Sequence, residues 1–207
     1  MTRTNTDNAL SRIDIDLGLP QTLRGVAAGL YWEAFGRKLG VAIGPRRRGV
    51  SVLEHALRAD RALVAVSSGE LLGLAGFHLG GSTFVGVELG HLTAEFGLGG
   101  GVLRAIPLAL LGRKPNEDKL LLDGIVVRSD QRGGGIGTRL LHAAVGLAAD
   151  NGLGSVRLDV VDTNPRAGRL YAREGFVPVH TVRTPYLRRA MGFSASTTMV
   201  KKTRKKR

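Results

Sequence analysis

The stretch that decides the fold is Lys119-Leu120-Leu121-Leu122-Asp123-Gly124-Ile125-Val126-Val127-Arg128-Ser129-Asp130-Gln131-Arg132-Gly133-Gly134-Gly135-Ile136-Gly137-Thr138. Its first nine residues are almost wholly apolar, the pattern of a central strand buried on both faces. A polar, glycine-rich loop over 128–134 follows. A helix is then predicted from about Gly135 to Asn151, with Ile136, Leu140, Ala144, Leu147 and Ala148 on one face and Asn151-Gly152 ending it. Val156–Val161 reads as the next strand. Strands joined through a helix must run parallel, because only a crossover of that length brings the chain back in the same direction.

Further along, Asn164 and Pro165 open a short helix through Ala167, Leu170 and Tyr171, stopped by Gly175. Phe176–Val182 and about Ala195–Val200 read as closing strands. Upstream, Arg12–Leu17 alternates apolar and polar residues as a half-buried strand does. Pro20 breaks it, and Thr22 is a candidate cap for a helix carrying Leu23, Val26, Ala27, Leu30, Tyr31, Ala34 and Phe35. After Gly44-Pro45, Arg46-Arg47-Arg48 open a second helix through Val52, Ala56 and Leu57. Ala62–Ser67, the turn Ser68-Gly69 and Leu71–Leu79 form a hairpin. The sheet is therefore mixed, and the expected class is α/β with helices on both faces. Residues 12–200 read as one domain after a polar lead over 1–11. Residues 80–114, with helical-looking Leu103–Leu111, read as a variable insertion or lid, and 201–207 as a basic tail.

Composition narrows the function classes. The 207 residues contain no cysteine, which removes disulfides, thiolate metal sites and cysteine nucleophiles and suits a reducing cytoplasm. No metal ligand set is expected. The longest apolar run, Val102–Leu111, is interrupted by Arg104 and Pro107 and falls short of the roughly 20 residues a membrane span needs. A net charge of +13 points to anionic partners. Six of the seven residues at 201–207 are basic, a run that suits a solvated tail with weak, nonspecific contact to nucleic acid.

Between strand and helix, Arg132-Gly133-Gly134-Gly135-Ile136-Gly137-Thr138 has the makings of a phosphate cradle. N–H groups at a helix start lack partners, glycines let the backbone come close to an anion, and Arg132 adds charge. A Walker loop would need a Gly-Lys-Ser/Thr ending, and a dinucleotide fingerprint a third glycine where Thr138 or Leu140 stands. Both fail. A structural turn without ligand is the plain competitor.

Arg132-x-x-Gly135-x-Gly137 in this setting resembles the Q/R-x-x-G-x-G/A signature of the GNAT acetyltransferase superfamily. Ile125-Val126-Val127-Arg128 resembles the family strand whose backbone pairs with pantetheine. Val161-Asp162-Thr163-Asn164-x-x-Ala167-x-x-Leu170-Tyr171-x-x-x-Gly175-Phe176 looks like the second family motif, and Leu30–Phe35 like part of the acceptor-lining first helix. The resemblance covers 119–177 firmly. It implies that strands 119–127 and 156–161 splay to admit acetyl-CoA, and that acetyl passes directly to an amine in a ternary complex. It also implies that Ile125, Val126, Val127, the loop 132–138 and Asn164 hold the coenzyme, with Ile125–Val127 supplying an oxyanion donor.

By the same resemblance Tyr171 protonates the departing thiolate, unless it is only a core tyrosine. Asn164 meets pantetheine, a role compatible with capping its helix. Strict alternation puts Asp123 on the same face of its strand as Leu121 and Ile125; a carboxylate in that apolar run demands a partner or a function, and it is the first candidate base. Glu33, Glu88, His91 and water alone are the others. The acceptor and the oligomeric state are open. A coenzyme-binding module without catalysis and a nucleic-acid-binding protein are the competing functions.

Overall fold

The computed structural model describes residues 13–88, 90–97 and 118–203. The elements run β1 (Asp14–Leu17), α1 (Arg24–Ile43), α2 (Arg46–Ala56), β2 (Ala62–Ser67), β3 (Glu70–His78) and a short helix α3 (90–97). They continue with β4 (Lys119–Val127), α4 (Ile136–Asp150), β5 (Ser155–Val161), α5 (Pro165–Arg173), β6 (Val177–Arg183), α6 (Arg188–Met191) and β7 (Ala195–Lys202). One sheet contains all seven strands in the order β1-β2-β3-β4-β5-β7-β6. Among the described residues only β4 and β5 pair in parallel; the other neighbours are antiparallel. The mixed α/β sheet and the parallel pair are as predicted.

Each face of the sheet carries its own core. On one side Leu30, Tyr31 and Trp32 of α1 and Leu53 of α2 pack on Val64, Leu74 and Val126. On the other, Ile136, Leu140, Leu141 and Ala144 of α4 pack on Phe77, Leu120, Leu122 and Val156. Strand β4 serves both, which is why its sequence is apolar throughout rather than alternating. The β2–β3 hairpin turns at Ser68 and Gly69, both with positive φ (49° and 80°), the two-residue geometry whose twist suits an antiparallel pair.

A bulge in β4 changes which residues share a face. Gly76 of β3 pairs with Gly124, but the next residue, Phe77, pairs with Leu122, leaving Asp123 as the extra residue. The alternation therefore slips by one at Asp123. Leu120, Leu122, Ile125 and Val127 all pack on the α4 side, whereas Val126 joins the α1 side, from which Tyr31 bonds Asp123. The expectation that Asp123 and Ile125 share a face is thus corrected: simple period-two counting cannot see a bulge.

Other expectations shift. Thr22 does not cap α1; a 3-10 turn over Gln21–Leu23 intervenes and no side chain caps the helix. Val26 is 53% exposed, and the buried stripe is Ala27, Ala28, Leu30, Tyr31 and Trp32. Lys201 and Lys202 belong to β7, paired with Val156 and Ser155, so the basic run enters the sheet rather than starting a tail there. The 3-10 turn Pro185–Leu187 and α6 fill a segment that sequence patterning left unassigned. Leu103–Leu111 and the far end of the basic tail, 204–207, lie outside the described residues. No helix among the described residues is long and apolar enough to cross a membrane.

The paired glycines Gly76 and Gly124 leave room for aromatic rings from the α1 side. A Cβ at 76 would stand 2.2 Å from the ring of Phe84, which is fully buried, and a Cβ at 124 would stand 2.3 Å from Phe35. Alanine normally suits a strand better than glycine. Here Gly76→Ala should have the opposite sign, lowering stability by about 1–3 kcal/mol through overpacking, as read from urea unfolding with an unchanged m-value.

Candidate active site

The ladder between β4 and β5 is short. Lys119 pairs with Ser155, Leu120 with Val156 and Leu121 with Arg157, and there it ends. Toward their C-terminal ends the strands part. The direction of β4's free groups follows from its other edge. The Arg128 N–H donates to Leu72 O of β3 at 2.9 Å. A strand residue sends its N–H and C=O to the same edge and alternates with its neighbours, so Val126 faces β3 while Ile125 and Val127 face the split. The Val127 carbonyl accordingly accepts from Arg132 Nε at 3.1 Å.

At the mouth of the split sits the glycine loop. Gly133 and Gly135 hold φ of +92° and +80°, a region side chains resist. That explains a glycine at 133 that the family signature does not demand. A Cβ at either position would meet nothing within 4 Å, so the space before the loop is open. Gly135 is the N-cap of α4 and no side chain caps that end. The first-turn N–H groups therefore point into a cavity of about 470 Å³. Val127, Arg132, Gly133, Gly135, Ile136, Gly137 and Thr138 line one wall, and α5 supplies the other through Ala167, Leu170 and three arginines. Gly134, Ile125 and Val126 are not in the lining, and Val126 is packed in the α1-side core.

Arg128 is engaged elsewhere. Its guanidinium meets Glu70 at 2.9 Å and Asp130 at 2.7 Å. The hydrogen bond from Arg128 holds the Asp130 carboxyl below the usual carboxylate range, and the same contacts raise the arginine.

Asp123 sits in a polar cluster within apolar walls. The Tyr31 hydroxyl donates to Oδ2 at 3.1 Å, and His78 Nε2 lies 3.5 Å from Oδ1. His78 is 8% exposed, and its Nδ1 is buried without a hydrogen-bond partner among the described residues. Tyr31 is itself wedged against Phe35 and Phe84, at ring separations of 4.5 and 5.5 Å. Sequence reasoning reached Asp123 but missed His78 and the Tyr31 hydroxyl. The signal available was weak: a histidine closing an otherwise apolar strand, and a tyrosine at a core position of a helix.

Tyr171 lies in the α4-side core, 6.1 Å from the Phe176 ring, and is not in the cavity lining. Burial pushes its hydroxyl up to about 12, because desolvation disfavours the phenolate. Asn164 caps α5, accepting from the Ala167 N–H at 3.2 Å, with Pro165 following. Glu33 is half exposed and pairs with Arg46 at 3.6 Å. It stands two residues from Tyr31, roughly 200° around α1, and so on the opposite side of the helix from the Asp123 cluster. Glu88 and His91 border a different cavity beside Arg58 and Asp60. Among the described residues no group of three or more histidine, aspartate or glutamate side chains could hold a metal ion.

The sequence profile of the acetyltransferase (GNAT) family matches residues 29–176. The chain belongs to the acetyltransferase (GNAT) family. It is an enzyme of that class. Among solved structures, it resembles an N-acetyltransferase from Staphylococcus aureus Mu50 at 17% identity and TM-score 0.63, covering 91% of this chain and 100% of that one. It also resembles the ribosomal-protein-S18-alanine N-acetyltransferase of Escherichia coli, at 16% identity and TM-score 0.55, with coverage of 92% and 94%. A third is yncA from Salmonella typhimurium, solved with its cofactor acetyl-CoA, at 14% identity and TM-score 0.59, with coverage of 94% and 95%. At these identities the likeness is one of fold. Among curated proteins none matches.

Tyr171 gives a pH signature. Its folded pKa of about 12 exceeds the ordinary 10, so the unfolded chain releases this proton first. The stability it protects is complete below pH 10 and lost as pH rises through about 12, by about 2–3 kcal/mol. In denaturant titrations over that range, wild type should lose stability faster than Tyr171→Phe; parallel curves would mean that the hydroxyl is solvated.

Proposed function

We propose that this chain transfers the acetyl group of acetyl-CoA to an amine by direct attack in a ternary complex. The parting of β4 from β5 beside an uncapped helix start carries the reading. A long coenzyme with an anionic end and an amide-bearing arm needs those two features side by side. The fit is good: the first turn of α4 and Arg132 meet the diphosphate, and the β4 edge at Ile125 and Val127 offers the arm a strand to pair with.

The residues then divide the work. The amine nitrogen bonds to the thioester carbonyl carbon, and an N–H from the Ile125–Val127 edge stabilises the oxygen as it gains charge. Asp123 takes the proton the nitrogen sheds. Tyr31 orients the carboxylate through Oδ2, and His78 flanks Oδ1, so that the carboxylate meets the amine in a fixed position. As the carbon–sulfur bond breaks, Tyr171 gives its proton to the thiolate and recovers one from solvent. Its raised pKa keeps it in the protonated form throughout the neutral range. Asn164 orients the arm from the α5 side while capping the helix. The exposure of Glu33 and its pairing with Arg46 favour Asp123 over it as base.

Calorimetric titration with acetyl-CoA, with CoA and ATP as controls, tests the coenzyme. Saturable micromolar binding of acetyl-CoA without comparable ATP binding is expected. Gly135→Arg should abolish that binding in a protein that stays folded by circular dichroism, with a lower unfolding temperature because position 135 holds a positive φ; retained affinity would exclude the loop. Once an acceptor is found by amine screening, Asp123→Asn should lower kcat by about 10²-fold or more with acetyl-CoA affinity within twofold of wild type. An unchanged kcat would remove Asp123 as base. Tyr171→Phe should likewise lower kcat and spare affinity.

A further inference from the structure

Among the described residues, four arginines and no acidic residue line the coenzyme cavity. Arg132 is tied to the loop through the Val127 carbonyl. The other three, Arg166, Arg169 and Arg173, all belong to α5. Their spacing of three and four residues puts them on one face of that helix, in a stripe about 10 Å long. All three are exposed, and no described residue offers any of them a hydrogen bond or an ion pair. The contrast with Arg128, neutralised by Glu70 and Asp130, is local and sharp.

A diphosphate seated on the α4 N-terminus and Arg132 leaves this stripe without a counter-charge. Three cations held together on one short helix beside the cavity repel one another until an anion arrives. Guanidinium forks bind a phosphate monoester through paired, charge-assisted hydrogen bonds. We infer that Arg166, Arg169 and Arg173 form a second anion site, which takes the 3′-phosphate on the ribose of the coenzyme. The inference rests on the coenzyme reading above and adds to it a specificity. The enzyme selects a donor bearing a phosphate monoester beyond the diphosphate, and the sequence signal is the i, i+3, i+7 run of arginines.

The test compares acetyl-CoA with 3′-dephospho-acetyl-CoA by calorimetry on the full chain. Wild type should bind acetyl-CoA roughly tenfold to a hundredfold more tightly than the dephospho form. The triple variant Arg166→Gln, Arg169→Gln, Arg173→Gln should lose that preference. It should bind the dephospho form within about threefold of wild type, because the loop that holds the diphosphate is untouched. The side chains are exposed, so the variant should unfold at the wild-type temperature, which is checked by circular dichroism. Equal wild-type affinity for the two donors, or a triple variant weakened equally toward both, would overturn the assignment while leaving the coenzyme reading intact. Binding of neither donor by folded wild type would overturn both.

Discussion

A strand in the middle of a sheet must satisfy its backbone polar groups on both edges, and β4 does so fully on one edge alone. Against β5 it makes three residue pairs and then stands open. Every other feature of the site follows from keeping that gap open. On the far side of the gap β5 cannot move toward β4, since all seven of its residues are paired with β7. On the near side β4 is held by β3 as far as Val127. With both walls committed elsewhere, the N–H groups of Ile125 and Val127 and the Ile125 carbonyl are left to solvent or to a ligand that offers its own amides, while the Val127 carbonyl accepts from Arg132. The gap is therefore built before any ligand comes, and binding there spends little on reorganisation.

The two ends of the gap differ in chemistry. Toward the surface lie the α4 N-terminus and a concentration of arginine, an environment made for negative charge. Toward the interior lie Asp123, His78 and Tyr31 among aromatic rings, an environment that makes a carboxylate demanding of partners. In the proposed reaction, a donor anchored at the first end delivers its reactive carbon to the second. The bulge at Asp123 is what allows this, because it turns the carboxylate to the α1 face while Ile125 and Val127 stay on the face of α4.

Much of this was legible in the residues themselves. The apolar run 119–127, the glycine loop and the capped start at Asn164-Pro165 state local backbone requirements, and local requirements survive folding. The parallel pair followed from the length of the crossover. What was not legible depends on contacts between distant segments. The bulge arises from the match of β3 to β4, so counting along β4 alone misplaced Ile125 relative to Asp123. His78 gained its meaning from a partner 45 positions away that lies beside it only in the folded sheet. The basic run at 201–207 looked like a tail because a block of like charges usually stays solvated. Yet Lys201 and Lys202 complete β7, held by pairing to β5, with the Lys201 ammonium 6.0 Å from the Phe176 ring centre.

The position of β7 between β5 and β6 bears on how the chain is made. Residues 177–183 leave the ribosome before residues 195–202, yet their sole neighbour in the sheet among the described residues is that later strand. Until it arrives, Val177, Val179 and Val182 have neither a partner edge nor a covered face; each remains about half exposed or more even in the finished sheet. Completion of the sheet is therefore an insertion, in which the later strand enters between two earlier ones. Such late, nonlocal closure is slow relative to hairpin formation and leaves a sticky edge waiting. The proline at 178 and the charge at Arg183 make that waiting edge a poor template for pairing between nascent chains.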